Sequence, residues 1–229
     1  MRGVVIGAGE VGTAVHSVLV DAYRKGLVDK DYDVAPAPDD VEIIHVCFPW
    51  GDWFDQEIEK YRDQYKPKYT VIHSTVPVGT SSRLDAIHSP VRGMHPNMEE
   101  GLRRFVKFVG GPAPKSDAVV DYLRRAGMRV KLCRRSETTE LAKLMSTLYY
   151  GVCIEFVKEA ERLCGKHGAP FAEAFTLWQK TYNEGYRDIL RPEYARPVLE
   201  PIQQKIGGHC VRENSVLLDS KFSELVQGE

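Results

Sequence analysis

The stretch Val4-Val5-Ile6-Gly7-Ala8-Gly9-Glu10-Val11-Gly12 constrains the fold more than any other part of the chain. Val4 to Ile6 reads as a short buried strand, and Gly7, Gly9 and Gly12 turn it directly into a helix that begins near Glu10 or Val11. Gly7 permits the tight turn, Gly9 keeps a Cβ out of the path of a pyrophosphate, and Gly12 lets the helix pack closely on the strand. The unpaired N–H groups and the positive dipole end of that helix then face an anion. A chain that opens this way is expected to form an α/β fold around a dinucleotide, with Gly7, Gly9, Glu10, Val11 and Gly12 as cofactor contacts.

The pattern continues in kind. Val11 to Lys25 has helical period and Gly26 is its expected stop. A second strand is expected at Tyr32 to Ala35. A carboxylate about 20 residues past the glycines commonly takes the ribose hydroxyls of NAD, and Asp33 suits that role better than Asp31; a solvated turn carboxylate before Pro36 is the alternative. Glu42 to Phe48 is β-rich and ends at Pro49, so Phe48 and Pro49 fall where ligands sit in open α/β sheets. Trp53, Phe54, Ile58 and Tyr61 line one helix face. Tyr69 to His73 forms the next strand and runs into Ser74-Thr75-Val76-Pro77-Val78-Gly79-Thr80, which places Ser74 and Thr75 near a nicotinamide, with Thr80 or Ser81 capping a following helix. Strands are expected at Val91–Met94, Phe105–Val109 and Met128–Cys133, around a helix from Ser116 to Ala126. About seven strands alternating with helices imply a doubly wound, mainly parallel, Rossmann-type sheet over residues 1–134.

At Arg134 the pattern changes. Ser136 to Lys166 is one long helical repeat with Glu137 and Glu140 in its first turn, where carboxylates complement the dipole. A second helix, Phe171 to Ile189, carries an aromatic stripe at helical spacing, which signals packing more than a cofactor box. Arg191 to Pro201 is broken by prolines, and Ser215 to Val226 forms one closing helix. Residues 135–229 are thus expected to be an all-helical substrate and dimerisation region, whose apolar faces call for a homodimer.

Composition excludes several classes. A formal net charge of -1 over 229 residues supplies no field for nucleic acid or an anionic membrane, so the expected partner is a small molecule. The absence of a long apolar run or signal peptide leads to a cytoplasmic expectation. Five cysteines without C-x-x-C spacing suggest neither a disulfide framework nor a metal site.

Two positions outside the glycine turn can carry reaction chemistry. Lys143 shares a helix face with Thr147 and Tyr150. Cys210 follows Gly207 and Gly208 and adjoins His209, and donors and a cation near a thiol favour the nucleophilic thiolate. The ordinary alternatives are a solvated lysine and a small buried thiol.

Five ordered segments resemble the UDP-glucose/GDP-mannose dehydrogenase family: VVIGAGEVG, HVCFPW, HSTVPVGT, ETTELAKLMSTLYY and IGGHC. The resemblance implies an NAD-dependent oxidation of a primary alcohol of a sugar or sugar nucleotide to the acid. In that family a cysteine attacks the aldehyde from a first hydride transfer, and the thiohemiacetal becomes a thioester that water hydrolyses. Carried over, Cys210 is the nucleophile, Lys143 stabilises oxyanion charge, and Thr75 contacts nicotinamide or water. Thr147 and Asn214 stand at further catalytic positions, and His95, Asn97, Lys143, Gly207 and Gly208 at substrate positions.

The departures bear on activity. His95-Pro96-Asn97 replaces Ser-Pro-Glu, Thr147 replaces an asparagine and Asn214 an aspartate, and an amide does not exchange protons as a general acid or base. Glu99, Glu100 or His95 are candidate substitutes, and Arg92, Arg103, Arg104, Arg196 and Arg212 candidate anion clamps. The family's C-terminal nucleotide-sugar-binding domain has no counterpart here. Two other functions therefore stand beside the first: a two-electron hydroxyacid-type NAD dehydrogenase with Lys143 central, and a dinucleotide-binding regulatory or scaffold protein whose catalysis has decayed.

Overall fold

The computed structural model describes residues 1–20, 25–28, 33–35, 37–93, 96–202 and 211–228, with backbone only for 25–28 and 33–35. The chain divides into two compact units, Met1–Lys143 and Leu144–Glu229.

The first unit is the expected doubly wound sheet. Among the described residues its strands are β1 (Gly3–Ile6), β2 (Lys25–Val28), β3 (Asp33–Ala35), β4 (Ile43–Val46), β5 (Tyr69–Ile72), β6 (Ile87–His88), β7 (Lys107–Gly110) and β8 (Val130–Cys133). They lie in the order β3-β2-β1-β4-β5-β6-β7-β8. Only the β2–β3 and β6–β7 pairs are antiparallel. Central strands covered on both faces are apolar on both, which is why β1 reads as a hydrophobic run and β4 is interrupted only by His45. Val5, Ile43 and Val71 point to one side, where helices α1 (Glu10–Val20) and α5 (Lys115–Arg125) supply Val15, Leu19, Val119 and Leu123. Val4, Ile6, Ile44, Val46 and Ile72 point to the other, against Phe54, Ile58 and Tyr61 of helix α2 (Phe54–Tyr65). Helices α3 (Thr80–Arg83) and α4 (Met98–Arg104) complete the connections.

Several sequence expectations need correction. Helix α1 is described over Glu10–Val20, and Lys25 and Gly26, expected to end it, lie in β2, paired with Gly3 and Val4 of β1. The strand expected second is β3, an antiparallel edge partner of β2. Local periodicity could not anticipate β2, because it exists through pairing with β1, more than twenty residues away in sequence. Val91 to Gly93 is not a strand; the short β6 lies upstream at Ile87–His88, ahead of Pro90, which has no N–H for a ladder. Trp53 precedes α2 and is 49% exposed, so it does not join the buried face.

The second unit is helical. Helix α6 (Ser136–His167) starts in the first unit and continues into the second. A π-helical stretch (Ala172–Leu177) leads into α7 (Trp178–Asp188), and a single 3-10 turn, Pro192–Tyr194, interrupts an otherwise irregular segment. The aromatic stripe does pack: Phe171 and Phe175 stack at 5.1 Å, Phe156 lies 6.2 Å from Phe175, and Tyr182 and Tyr186 are 4.7 Å apart. The expected single closing helix is two, α8 (Val211–Ser215) and α9 (Lys221–Gln227). Ser220 breaks them by taking extended backbone and accepting the Phe222 N–H on its hydroxyl.

Candidate functional site

The order β2-β1-β4 reverses direction at β1, and the crevice beyond the carboxyl ends of β1 and β4 is where an open α/β sheet binds its ligand. Three loops meet the requirement: Gly7–Gly9 after β1, Cys47–Pro49 after β4 and Ser74–Gly79 after β5.

The glycines of the first loop do different work. Gly7 has φ +99°, and a Cβ there would lie 2.9 Å from the Phe48 nitrogen. A Cβ on Gly12 would run into the Gly7 carbonyl oxygen and come 3.3 Å from the Cys47 Cβ. Gly9 is the opposite case: a Cβ there meets nothing within 4 Å. Gly7 and Gly12 are thus needed by the turn itself, while Gly9 faces open space in front of the helix. Glu10 is exposed in the first turn of α1 and Val11 is half-buried. Asp33 pairs by backbone with Val28, the last residue of β2, which puts it at the same end of the sheet as the glycine loop. The cradle therefore fits a dinucleotide pyrophosphate on the helix N-terminus, with Gly9 leaving room for it.

The second and third loops are tied together. Ser74 donates its hydroxyl to the Phe48 carbonyl at 2.5 Å, and His88 Nε2 donates to the Ser74 carbonyl at 3.2 Å. Thr75 follows, half-buried, and Pro49 is exposed. Neither Thr80 nor Ser81 caps α3. The cap position is Gly79, and Thr80 donates its hydroxyl back to the Pro77 carbonyl at 2.8 Å.

What receives the N–H groups here is a residue the sequence reading placed elsewhere. Glu140 is fully buried, and its carboxylate accepts the Gly79 N–H at 2.6 Å and the Ser81 N–H at 2.8 Å. It serves the loop after β5 and not the dipole of its own helix. Ser82 joins Ser136 and Glu137 in the same seam, at 3.1 and 2.8 Å. One turn on, Lys143 is half-buried and donates to the Val91 carbonyl at 3.1 Å, so it is not a solvated helix lysine.

The remaining candidates are placed as follows. Asn97 is exposed at the start of α4. Glu99 is held by Ser17 and Arg103, and Glu100 by Arg104, so these two arginines face carboxylates instead of an open anion site. Arg92 lies over the Phe105 and Phe108 rings, Arg196 over Tyr182 at 3.7 Å, and Arg212 donates to the Gln227 carbonyl. Thr147 on α6 and Asn214 on α8 are half-buried in the second unit. His95, Gly207, Gly208 and Cys210 lie outside the described residues.

Sequence reasoning also missed a buried polar cluster on β4 to β7. His45 Nδ1 meets His73 Nε2 at 2.9 Å, His45 Nε2 meets the Tyr122 hydroxyl at 3.2 Å, and His73 Nδ1 meets the Ser89 carbonyl at 2.7 Å. A carbonyl only accepts, so His73 carries its proton on Nδ1, and one consistent chain follows: Tyr122 donates to His45, His45 to His73, and His73 to Ser89. Lys107 Nζ lies 2.6 Å from the Ser89 carbonyl, 3.0 Å from the Pro90 carbonyl and 3.0 Å from His73 Nδ1. That protonated nitrogen suits a neutral amine with a lone pair, and burial lowers the Lys107 amine to about 7. Burial likewise holds His88 down to about 3 and His73 well below its ordinary range. The histidines within apolar strand runs were the available signal, since His45 pairs with Val71 and so shares a sheet face with His73 two residues on, where the two rings stack at 5.2 Å.

Neither a protein-family model nor a curated protein sequence matches the chain. Solved structures do. UDP-D-ManNAc dehydrogenase from Pyrococcus horikoshii aligns with TM-score 0.77 and 17% identity over 99% of this chain and 66% of its own. A UDP-glucose dehydrogenase from Pyrobaculum islandicum aligns with TM-score 0.73 and 14% identity over 100% of this chain and 67% of its own. Mycobacterium tuberculosis 3-hydroxyisobutyrate dehydrogenase aligns with TM-score 0.72 and 13% identity over 100% of this chain and 92% of its own. The chain therefore has the fold common to these proteins and spans about two thirds of the length of the nucleotide-sugar dehydrogenases it matches. Among the described residues, no helix is long and apolar enough to cross a membrane.

Proposed function

We propose that this chain is an NAD-dependent dehydrogenase of the nucleotide-sugar type, acting on a primary alcohol. The observation that carries the reading is the pairing of a Gly12 no side chain can replace with a Gly9 that opens onto empty space, at the reversal point of the sheet. Gly7, Gly9 and the first turn of α1 would hold the pyrophosphate, Asp33 the ribose, and Phe48, Ser74 and Thr75 the nicotinamide end. Bound NAD would supply the hydride acceptor. Lys143, already turned inward onto a backbone carbonyl, supplies positive charge for a developing oxyanion.

The finer proposal is oxidation through to the acid. The Cys210 thiolate adds to the aldehyde carbon, forming a C–S bond and an alkoxide that Lys143 stabilises. After the second oxidation water attacks the thioester, the C–S bond breaks and the thiol leaves with a proton. With amides at Asn97 and Asn214, proton transfer falls to other groups. The second unit exposes Tyr149, Phe156, Leu177 and Trp178, the last at 67%, and these faces support a homodimer.

A second reading is a two-electron, hydroxyacid-type dehydrogenase with Lys143 central: the fold is shared with the 3-hydroxyisobutyrate dehydrogenase, and the amides Asn97 and Asn214 stand where proton-exchanging carboxylates are expected. Counting NADH per product on UDP-sugars and small 3-hydroxy acids separates the two. Two NADH per acid in the wild type, falling to one with released aldehyde in Cys210→Ala, is the expected result; one NADH per turnover in both replaces it with the second reading. In either case Lys143→Met should lower kcat by about 10²–10³-fold at little change in NAD affinity. NAD binding without turnover on the whole panel would leave only a binding role.

A further inference from the structure

We infer that Glu140 is a positioning residue that locks the loop after β5 to the helix turn carrying Lys143, so that the nicotinamide-facing loop and the candidate oxyanion-stabilising lysine move as one piece. The functional half of this rests on the proposed dinucleotide site; the mechanical half stands on geometry alone.

A carboxylate removed from water must have its charge met by strong donors, and Glu140 is fully buried. Its two oxygens take the Gly79 and Ser81 N–H groups at 2.6 and 2.8 Å, lengths typical of charge-assisted bonds. Those amides belong to the segment that begins with Ser74 and Thr75. They are unpaired donors of the first turn of α3, where Gly79 sits at φ +94° and no side chain of the loop caps the helix. The clamp is not alone. Thr139, the preceding residue of α6, meets His88 Nδ1 at 2.8 Å, and His88 Nε2 holds the Ser74 carbonyl at 3.2 Å. Neighbouring residues of one helical turn thus grip the loop at both of its ends, Thr139 through His88 at Ser74 and Glu140 directly at Gly79 and Ser81. Lys143 is one turn beyond, anchored on the Val91 carbonyl. The loop is therefore tied to α6 at both ends, in addition to the Ser74 bond to Phe48 and the Thr80 bond to Pro77.

Glutamine at 140 keeps the shape but offers one acceptor oxygen and turns an NH₂ toward the other N–H. The experiment compares wild type, Glu140→Gln and Glu140→Asp by amide hydrogen exchange and by equilibrium binding of NADH and of ADP-ribose, which lacks the nicotinamide. In Glu140→Gln, exchange at Gly79 and Ser81 is expected to quicken at least about tenfold. NADH should bind about five- to tenfold more weakly and ADP-ribose within about twofold of wild type. Aspartate, which keeps the charge, should recover part of the difference and serves if glutamine prevents folding. Unchanged exchange at both amides, or equal weakening of both ligands, overturns the inference. A wild type that binds neither ligand sinks the dinucleotide reading and the positioning role with it, whereas changed exchange there still distinguishes that failure from an absent clamp.

Discussion

Gly12→Ala is expected to cost about 3–5 kcal/mol or to prevent folding, while Gly9→Ala stays within about 1 kcal/mol of wild type and loses dinucleotide binding by about 100-fold or more. The contrast follows from what each Cβ would meet. At position 12 the obstacle is the Gly7 carbonyl, backbone that belongs to the same strand–turn–helix unit and cannot rotate away. Relief requires lifting α1 off the sheet, which exposes Val15, Val18 and Leu19. At position 9 there is nothing to displace in the free protein, so the methyl group is felt only by an incoming phosphate. Denaturant midpoints and NADH titration of the two variants check both halves. A Gly9→Ala protein that binds NADH like wild type would mean that the space in front of α1 holds something else.

Stability is expected to rise steeply with pH from acid to about pH 9, because the buried bases of the sheet are neutral only when folded. Lys107 titrates near 7 in the folded chain, lowered first by burial, and at 10.5 when unfolded. Between these values the unfolded chain binds a proton that the folded one does not, so stability grows as pH climbs above 7, and a gap of this size is worth about 5 kcal/mol in full. Cys47 limits it from above. Burial pushes its thiol from 9.0 to about 12, so above pH 9 the unfolded thiol ionises first and offsets the continuing Lys107 gain, which levels the profile until the unfolded lysine itself deprotonates near 10.5 and stability then falls. On the acid side His88, at about 3 against 6.5 unfolded, contributes stability present above pH 6.5 and lost as pH drops toward 3, and His73 acts in the same direction. The groups facing Lys107 are His73, Cys47 and, at longer range, Lys143; His45 and Tyr122 complete the chain beyond His73. Lys107→Met should flatten the rise between about pH 7 and 9 and leave the acid loss in place, read from urea midpoints at about pH 5, 7 and 9. A wild type with a level profile across this range would show that the amine keeps its charge in the folded sheet.

The parts legible in sequence are those decided by neighbours along the chain. The glycine turn, the strand run Ile43–Val46 and the thirty-residue repeat that becomes α6 each carry their conformation in spacings of a few residues, and periodicity reads such spacings directly. The site itself was half legible. Gly7, Gly9, Gly12, Phe48, Ser74 and Lys143 lie in the one unit, and Ser74 bonds directly to Phe48, as strand ends in an open sheet should. The place of Lys25 in a strand was not legible, because β2 exists through pairing with Gly3 to Ile6.

What the sequence determined by itself is that a strand, a glycine turn and a helix stand together at the start of a parallel sheet, since only backbone without a Cβ closes that turn. What the tertiary structure alone decided is the work of the charged and titratable side chains. Glu140 looked like a first-turn carboxylate suited to its own helix dipole and instead binds two amides about sixty residues away in sequence. Lys107, the one charged position in the run Phe105 to Val109, sits dry among His73, Ser89 and Pro90. Charge interacts through space with whatever folding brings within a few ångströms, so its role is set only once the sheet has assembled those partners.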